Sequence, residues 1–144
     1  MKTFAVPTRD QVSENNRGLF DNLNKGLGFV PNLFATMAYS ENGLGNYLTF
    51  SNGKSSLRAK EREAVNLVLS QDNGCLYCTS AHTALGKING FTEEQTIEIR
   101  KGGASFDAKL DALVKLAKNI NQTKGMPTAL CLIIFLQQAI TKAT

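Results

Sequence analysis

Ser56-Leu57-Arg58-Ala59-Lys60-Glu61-Arg62-Glu63-Ala64-Val65-Asn66-Leu67-Val68-Leu69-Ser70-Gln71-Asp72-Asn73-Gly74 reads as a helix with both of its ends marked. Ser56 is a suitable cap, and Leu57, Ala64, Val65, Val68 and Leu69 recur at helical spacing. Asp72-Asn73-Gly74 is a strong breaker. The same punctuation continues downstream. A helix starts near Cys75 and ends at Asn89-Gly90. Thr92-Glu93-Glu94-Gln95 reads as a capping box whose helix stops at Gly102-Gly103. Another helix runs from about Asp107 to Gln122, with Leu110, Leu113, Val114, Ala117 and Ile120 on one face. A last apolar segment follows Pro127. Upstream, Thr8 can cap a helix to about Lys25 that Gly26 and Gly28 end. Pro31 opens a short helix to about Tyr39, and Ser40 and Gly53 bracket a third. No alternating strand, hairpin signal or solenoid repeat interrupts this pattern. The expected fold is all-α, with six to eight helices in a single domain over residues 1–144.

Composition narrows the function classes. The 144 residues are 42% hydrophobic and 19% charged, a globular balance in a chain long enough for one core without staples. Sixteen basic against twelve acidic residues leave +4, with the basic residues scattered, so no nucleic-acid partner is expected. The longest apolar run, residues 129–136, falls well short of the roughly 18 residues of a membrane span. Residues 1–7 carry no secretory apolar region. Three cysteines make no disulfide scaffold. A cytoplasmic location is expected, with no membrane partner. In a reducing compartment a cysteine pair more often means chemistry than structure.

The chemistry concentrates in Gly74-Cys75-Leu76-Tyr77-Cys78-Thr79-Ser80-Ala81-His82, which holds the only histidine of the chain. On a helix, Cys78 lies three positions after Cys75 and His82 four after Cys78, so all three share a face. Unpaired amides at a helix N-terminus stabilise a thiolate. An imidazole nearby can accept or return the thiol proton, and a second cysteine can close a disulfide onto an oxidised first one. Such a centre reduces peroxides or disulfides. Rival readings are weaker. A c-type haem site needs histidine where Thr79 stands, and a thioredoxin fold needs a βαβ pattern. Zinc could use Cys75, Cys78 and His82, but structural zinc sites usually draw on two separated pairs and no second pair exists. Glu61 and Glu63 are the nearest upstream carboxylates. Spacing alone does not say which points inward, and most helical glutamates are solvated. Tyr77 can pack or lend its hydroxyl to a proton relay, packing being the expectation.

Lys60-Glu61-Arg62-Glu63-Ala64-Val65, followed by the cysteine segment through Thr83, resembles the alkylhydroperoxidase D-like (AhpD-like) branch of the carboxymuconolactone decarboxylase superfamily. That branch carries E-x11-C-x2-C-x3-H, and Glu63, Cys75, Cys78 and His82 match every spacing. Gly90-Phe91-Thr92-Glu93-Glu94 and Gly28-Phe29-Val30-Pro31-Asn32-Leu33-Phe34 resemble flanking turns, so the likeness covers roughly residues 15–122. The resemblance implies an AhpD-like helical bundle assembled as a homo-trimer or hexamer. It implies a thiol-dependent alkyl hydroperoxide reductase that needs no cofactor or metal. The electron donor would be a dithiol or protein reductant of lipoyl- or thioredoxin-like type. Glu63 is then the general base and His82 the proton relay. Helix-end physics favours Cys75 as the attacking thiol, while the pairing with His82 and the resemblance favour Cys78. Cys78 is taken as peroxidatic and Cys75 as resolving. A thiol–disulfide exchange or redox-sensing module without peroxidase activity is the alternative. After about Gly125 the chain departs from the family pattern, giving an atypical C-terminal end; Cys131 there carries no assigned role.

Overall fold

The computed structural model describes residues 5–140, with side chains through residue 138. Among these residues there are eight α-helices, one 3₁₀ turn and no strand. They fall into two compact units that meet in sequence at Lys54 and Ser55.

In the first unit Thr8 does cap a helical segment, but only the 3₁₀ turn Arg9–Gln11, where Gln11 Oε1 accepts from the Thr8 amide at 2.9 Å. The continuous helix expected from Thr8 is interrupted because Val12 takes extended backbone and enters the core. Helix α1 (Glu14–Leu27) restarts behind Ser13 and ends at Gly28, whose φ of +80° suits a residue without Cβ. Helix α2 (Asn32–Met37) follows Pro31, and α3 (Gly43–Ser51) follows Asn42. Ser40, expected as the cap of α3, stands outside it and accepts from the Gly43 amide through Oγ at 3.2 Å. Phe20, Ala35 and Leu44 form the centre of this unit. Asn16, fully buried, donates through Nδ2 to the carbonyls of Ala38 (3.1 Å) and Ser40 (3.0 Å), which fastens α1 to the end of α2.

The second unit is built around α4 (Ala59–Asp72), against which α5 (Leu76–Ile88), α6 (Glu93–Lys101) and α7 (Ala108–Gln122) pack. Helix α8 (Ala129–Ile140) lies on α7. Ala64, Leu67, Val68, Ile99 and Val114 are wholly buried in its core, and each of the four larger side chains contributes about 2 kcal/mol. Gly86 lets α5 come close to α4, since a Cβ there would sit 3.3 Å from Leu67 Cδ1. Helix α4 begins two residues later than Ser56 implies. Glu61 decides the start: its Oε2 accepts from the Arg58 amide at 2.8 Å, making Arg58 the cap residue.

Glu61 is buried, and Lys109 of α7 stands 3.6 Å from its Oε1. The hydrogen bond from the Arg58 amide, helped by the Arg58 guanidinium and Lys109, holds its carboxyl below the ordinary value of 4.5. A carboxyl depressed in the folded state stabilises the fold above its unfolded value, and that contribution is lost as pH falls through the folded one. Glu61→Ala is therefore expected to cost about 1 kcal/mol at pH 7, the usual worth of a helix cap. Thermal melts of both proteins should show the gap shrinking below pH 4.5.

Candidate active site

The turn between α4 and α5 sets the position of the cysteines. Gly74 takes φ +64°, and the Cys75 amide reaches back to the Ser70 carbonyl at 3.0 Å. This sharp return makes Cys75 the N-cap of α5, where its Sγ accepts from the Cys78 amide at 3.2 Å. The turn is tethered to α7. Asn121 and Gln122 donate to the two Asp72 carboxylate oxygens at 2.7 and 2.9 Å, and Asn121 also donates to Asn73 Oδ1 at 3.0 Å. These side-chain bonds, Asn121 first, hold the Asp72 carboxyl below the usual carboxylate range.

Cys75 and Cys78 are joined as a disulfide, with Cα atoms 5.3 Å apart, inside the range such bridges span. Both residues are half-buried. The pair therefore stores two electrons' worth of oxidising capacity at a helix N-terminus. On reduction, the α5 dipole and free amides favour the thiolate of the residue nearest the end.

His82 stands one turn beyond Cys78 on α5. Its Nδ1 lies 2.8 Å from Glu63 Oε2 of α4, and their side chains are 27% and 13% exposed. A carboxylate only accepts, so Nδ1 of the neutral ring carries the proton and Nε2 keeps its lone pair. Glu63 Oε1 accepts from Asn66 Nδ2 at 3.3 Å. Asn66 was not among the sequence candidates. Its position three residues after Glu63 on the same helix was the available signal.

The two glutamates thus divide. Neither is solvated, contrary to the general habit of helical glutamates: Glu61 caps α4, and Glu63 faces the histidine. The four candidates Glu63, Cys75, Cys78 and His82 all fall on the facing helices α4 and α5 or the turn between them. Tyr77 corrects the packing expectation. Tyr77 is 49% exposed and Leu76 80%, because the first turn of α5 points both away from the core. Among the described residues no group of three or more His, Cys, Asp or Glu side chains is arranged to hold a metal ion. Free Cys131 lies half-buried on α8.

Comparison with known proteins agrees with this architecture. No curated protein matches the chain. Ten chains of solved structures match it, two of which illustrate the shared fold. One is described as an uncharacterized peroxidase-related protein from Silicibacter sp. TM1040, with TM-score 0.80 and 21% identity over 96% of this chain and 76% of that one. The other is described as an alkylhydroperoxidase AhpD core, an uncharacterized peroxidase-related protein from Ralstonia eutropha JMP134. It has TM-score 0.82 and 20% identity over 97% of this chain and 77% of that one. The fold is therefore AhpD-like. The model of the carboxymuconolactone decarboxylase family matches residues 40–119, a span that contains Glu63, both cysteines of the disulfide and His82. With more than half of its length matched, the chain belongs to the carboxymuconolactone decarboxylase family.

Proposed function

We propose that the protein is a thiol-dependent hydroperoxide reductase that works through Cys78, Cys75, His82 and Glu63. The observation that carries this reading is the Glu63–His82 contact of 2.8 Å beside a helix-terminal disulfide. A disulfide without a proton carrier can exchange with thiols, but it gives a departing alkoxide no proton.

In the reduced protein, His82 takes the Cys78 proton through Nε2, and the Glu63 carboxylate stabilises the imidazolium. The Cys78 thiolate attacks the outer oxygen of ROOH. An S–O bond forms, the O–O bond breaks, and the leaving alkoxide takes the proton from His82 as ROH. Cys78 is now a sulfenic acid. The Cys75 thiol gives up its proton and attacks that sulfur; the S–S bond forms, the S–O bond breaks, and the leaving hydroxide takes the proton as water. A dithiol reductant then returns two electrons and two protons by exchange. No cofactor enters this cycle.

The reading is tested by stopped-flow oxidation of the reduced protein with cumene hydroperoxide, counting thiols before and after. Two thiols per chain should be lost, faster than from free cysteine, and a dithiol should restore them. Oxidation no faster than free cysteine, with rapid reaction toward disulfides, would instead establish an exchange module.

The same reading includes a homo-oligomer, trimer or hexamer. Leu130, Leu132, Ile133, Ile134 and Leu136 of α8 are all exposed, a cluster that invites a protein contact. Leu130→Glu with Ile133→Glu should lower the mass seen by sedimentation velocity toward that of a single chain. An unchanged mass would remove α8 from the contact.

A further inference from the structure

A groove of about 510 Å³ is lined by Gln71 of α4, by Ile97, Arg100 and Lys101 of α6, and by Lys118 of α7. Three of these residues are cationic. Among the described residues none of the three forms an ion pair with a carboxylate. Their partners are neutral. Arg100 Nε donates to Gln71 Oε1 at 3.0 Å, and Lys118 Nζ donates to the Lys101 carbonyl at 3.2 Å. Lys118 reaches that carbonyl by lying across Gly102, where a Cβ would come within 2.9 Å of its chain. The acid that senses Lys118 is Asp72, and Asn121 and Gln122 already occupy its oxygens. The groove lining thus carries three positive charges and no carboxylate, with Asp72 the one acid near Lys118, and this surplus concentrates anions from solution.

Its position gives that charge a use. Gln71 lies in the last turn of α4, and its own amide belongs to the same peptide group as the Ser70 carbonyl that accepts the Cys75 amide at 3.0 Å. The groove and the resolving cysteine are therefore joined through one turn of backbone.

We infer that this groove docks a carboxylate carried by the dithiol that reduces the Cys75–Cys78 disulfide. The inference rests on the redox role proposed for that pair. The carboxylate does not react; it brings the thiols to the disulfide. One thiolate of the dithiol attacks Cys75 Sγ, forming a mixed disulfide and releasing the Cys78 thiolate. The second thiol of the dithiol then attacks its own sulfur of the mixed disulfide and releases the Cys75 thiolate. The dithiol leaves as a cyclic disulfide, oxidised by two electrons, and its two protons pass to the cysteine pair.

The test compares two dithiols that differ in one charge, dihydrolipoate and its neutral amide, with each rate divided by that dithiol's rate toward a small neutral disulfide. At low ionic strength the carboxylate should reduce the protein about tenfold faster than the amide, the lower end of electrostatic steering. Near 0.5 M salt, where screening shortens the reach of the charges to a few ångströms, the ratio should approach about one. Arg100→Gln with Lys101→Gln should abolish the advantage at low salt while leaving the amide rate unchanged. Lys101→Gln alone, which removes no hydrogen bond of its side chain, should weaken the advantage and guards against misfolding of the double variant. Equal normalised rates for the two dithiols, or an advantage that survives both variants, would overturn the docking site while leaving the redox pair intact. Failure of both dithiols to reduce the disulfide would overturn the redox role itself, and the docking site with it.

Discussion

Cys75→Ser should consume one equivalent of hydroperoxide and stop, and Cys78→Ser should consume none beyond the background of a free thiol. In steady-state turnover with a dithiol, each substitution should cost at least about a thousandfold, as removal of a nucleophile or its obligatory partner does elsewhere. The two variants differ in what they accumulate. In Cys75→Ser the peroxidatic sulfur keeps its oxygen, because no thiol is left to displace it. A sulfenic acid on Cys78 should then be trapped by dimedone and read as an added mass on the peptide containing residue 78. The structure gives this experiment its edge, because two physical effects compete over which sulfur attacks. Cys75 caps α5 and receives most of the helix-end field. Cys78 sits one turn from His82, which is itself anchored on Glu63. If the label appears on Cys75 in Cys78→Ser, and none appears on Cys78 in the reverse variant, the field outweighs the proton carrier and the roles exchange.

The cysteine helix was legible because its ends are written in local chemistry. Asp72-Asn73-Gly74 and Asn89-Gly90 stop their helices with residues that accept left-handed or tight backbone, and α5 begins and ends within one residue of that reading. The start of α4 was less legible because two signals competed. Ser56 is a good cap by residue type, but Glu61 bonds the Arg58 amide, and Lys109 from α7, far along the chain, supports that choice. At Val12 the competition was between helix continuation and burial, and burial won. The sixteen basic charges of the chain look scattered along the sequence. Three of those charges converge only because α4, α6 and α7 bring their ends together around Gly102. The partition of Glu61 from Glu63 could not come from periodicity. Two positions apart on a helix, they point roughly 200° from each other. Which one meets His82, nineteen residues on, depends on how α5 packs against α4. Only the family likeness anticipated it.

That partition makes Glu63→Gln the sharpest test of the proton path. Glutamine keeps the length and can still accept from His82 Nδ1, so the ring stays oriented; what disappears is the charge that stabilises the imidazolium. The rate of thiol loss to hydroperoxide at pH 7 should fall by about a hundredfold, the usual worth of a positioned acid–base group. Glu63 acts through His82, so a fall in rate alone would not separate chemistry from a loosened structure. The pH profile does. Above the ordinary thiol value of about 8.5, solvent itself removes the Cys78 proton, and the variant should recover most of its lost rate. Glu61→Gln is the matched control on the same helix. It removes the charge that faces Arg58 and Lys109, so its effect should appear in the melting temperature and not in the peroxide rate. Asn66→Ala, which frees the other oxygen of Glu63, should give a smaller loss, about tenfold or less. A Glu63→Gln rate that stays low at every pH, accompanied by a lowered melting temperature, would make Glu63 a structural residue. His82 would then have to act without a carboxylate behind it.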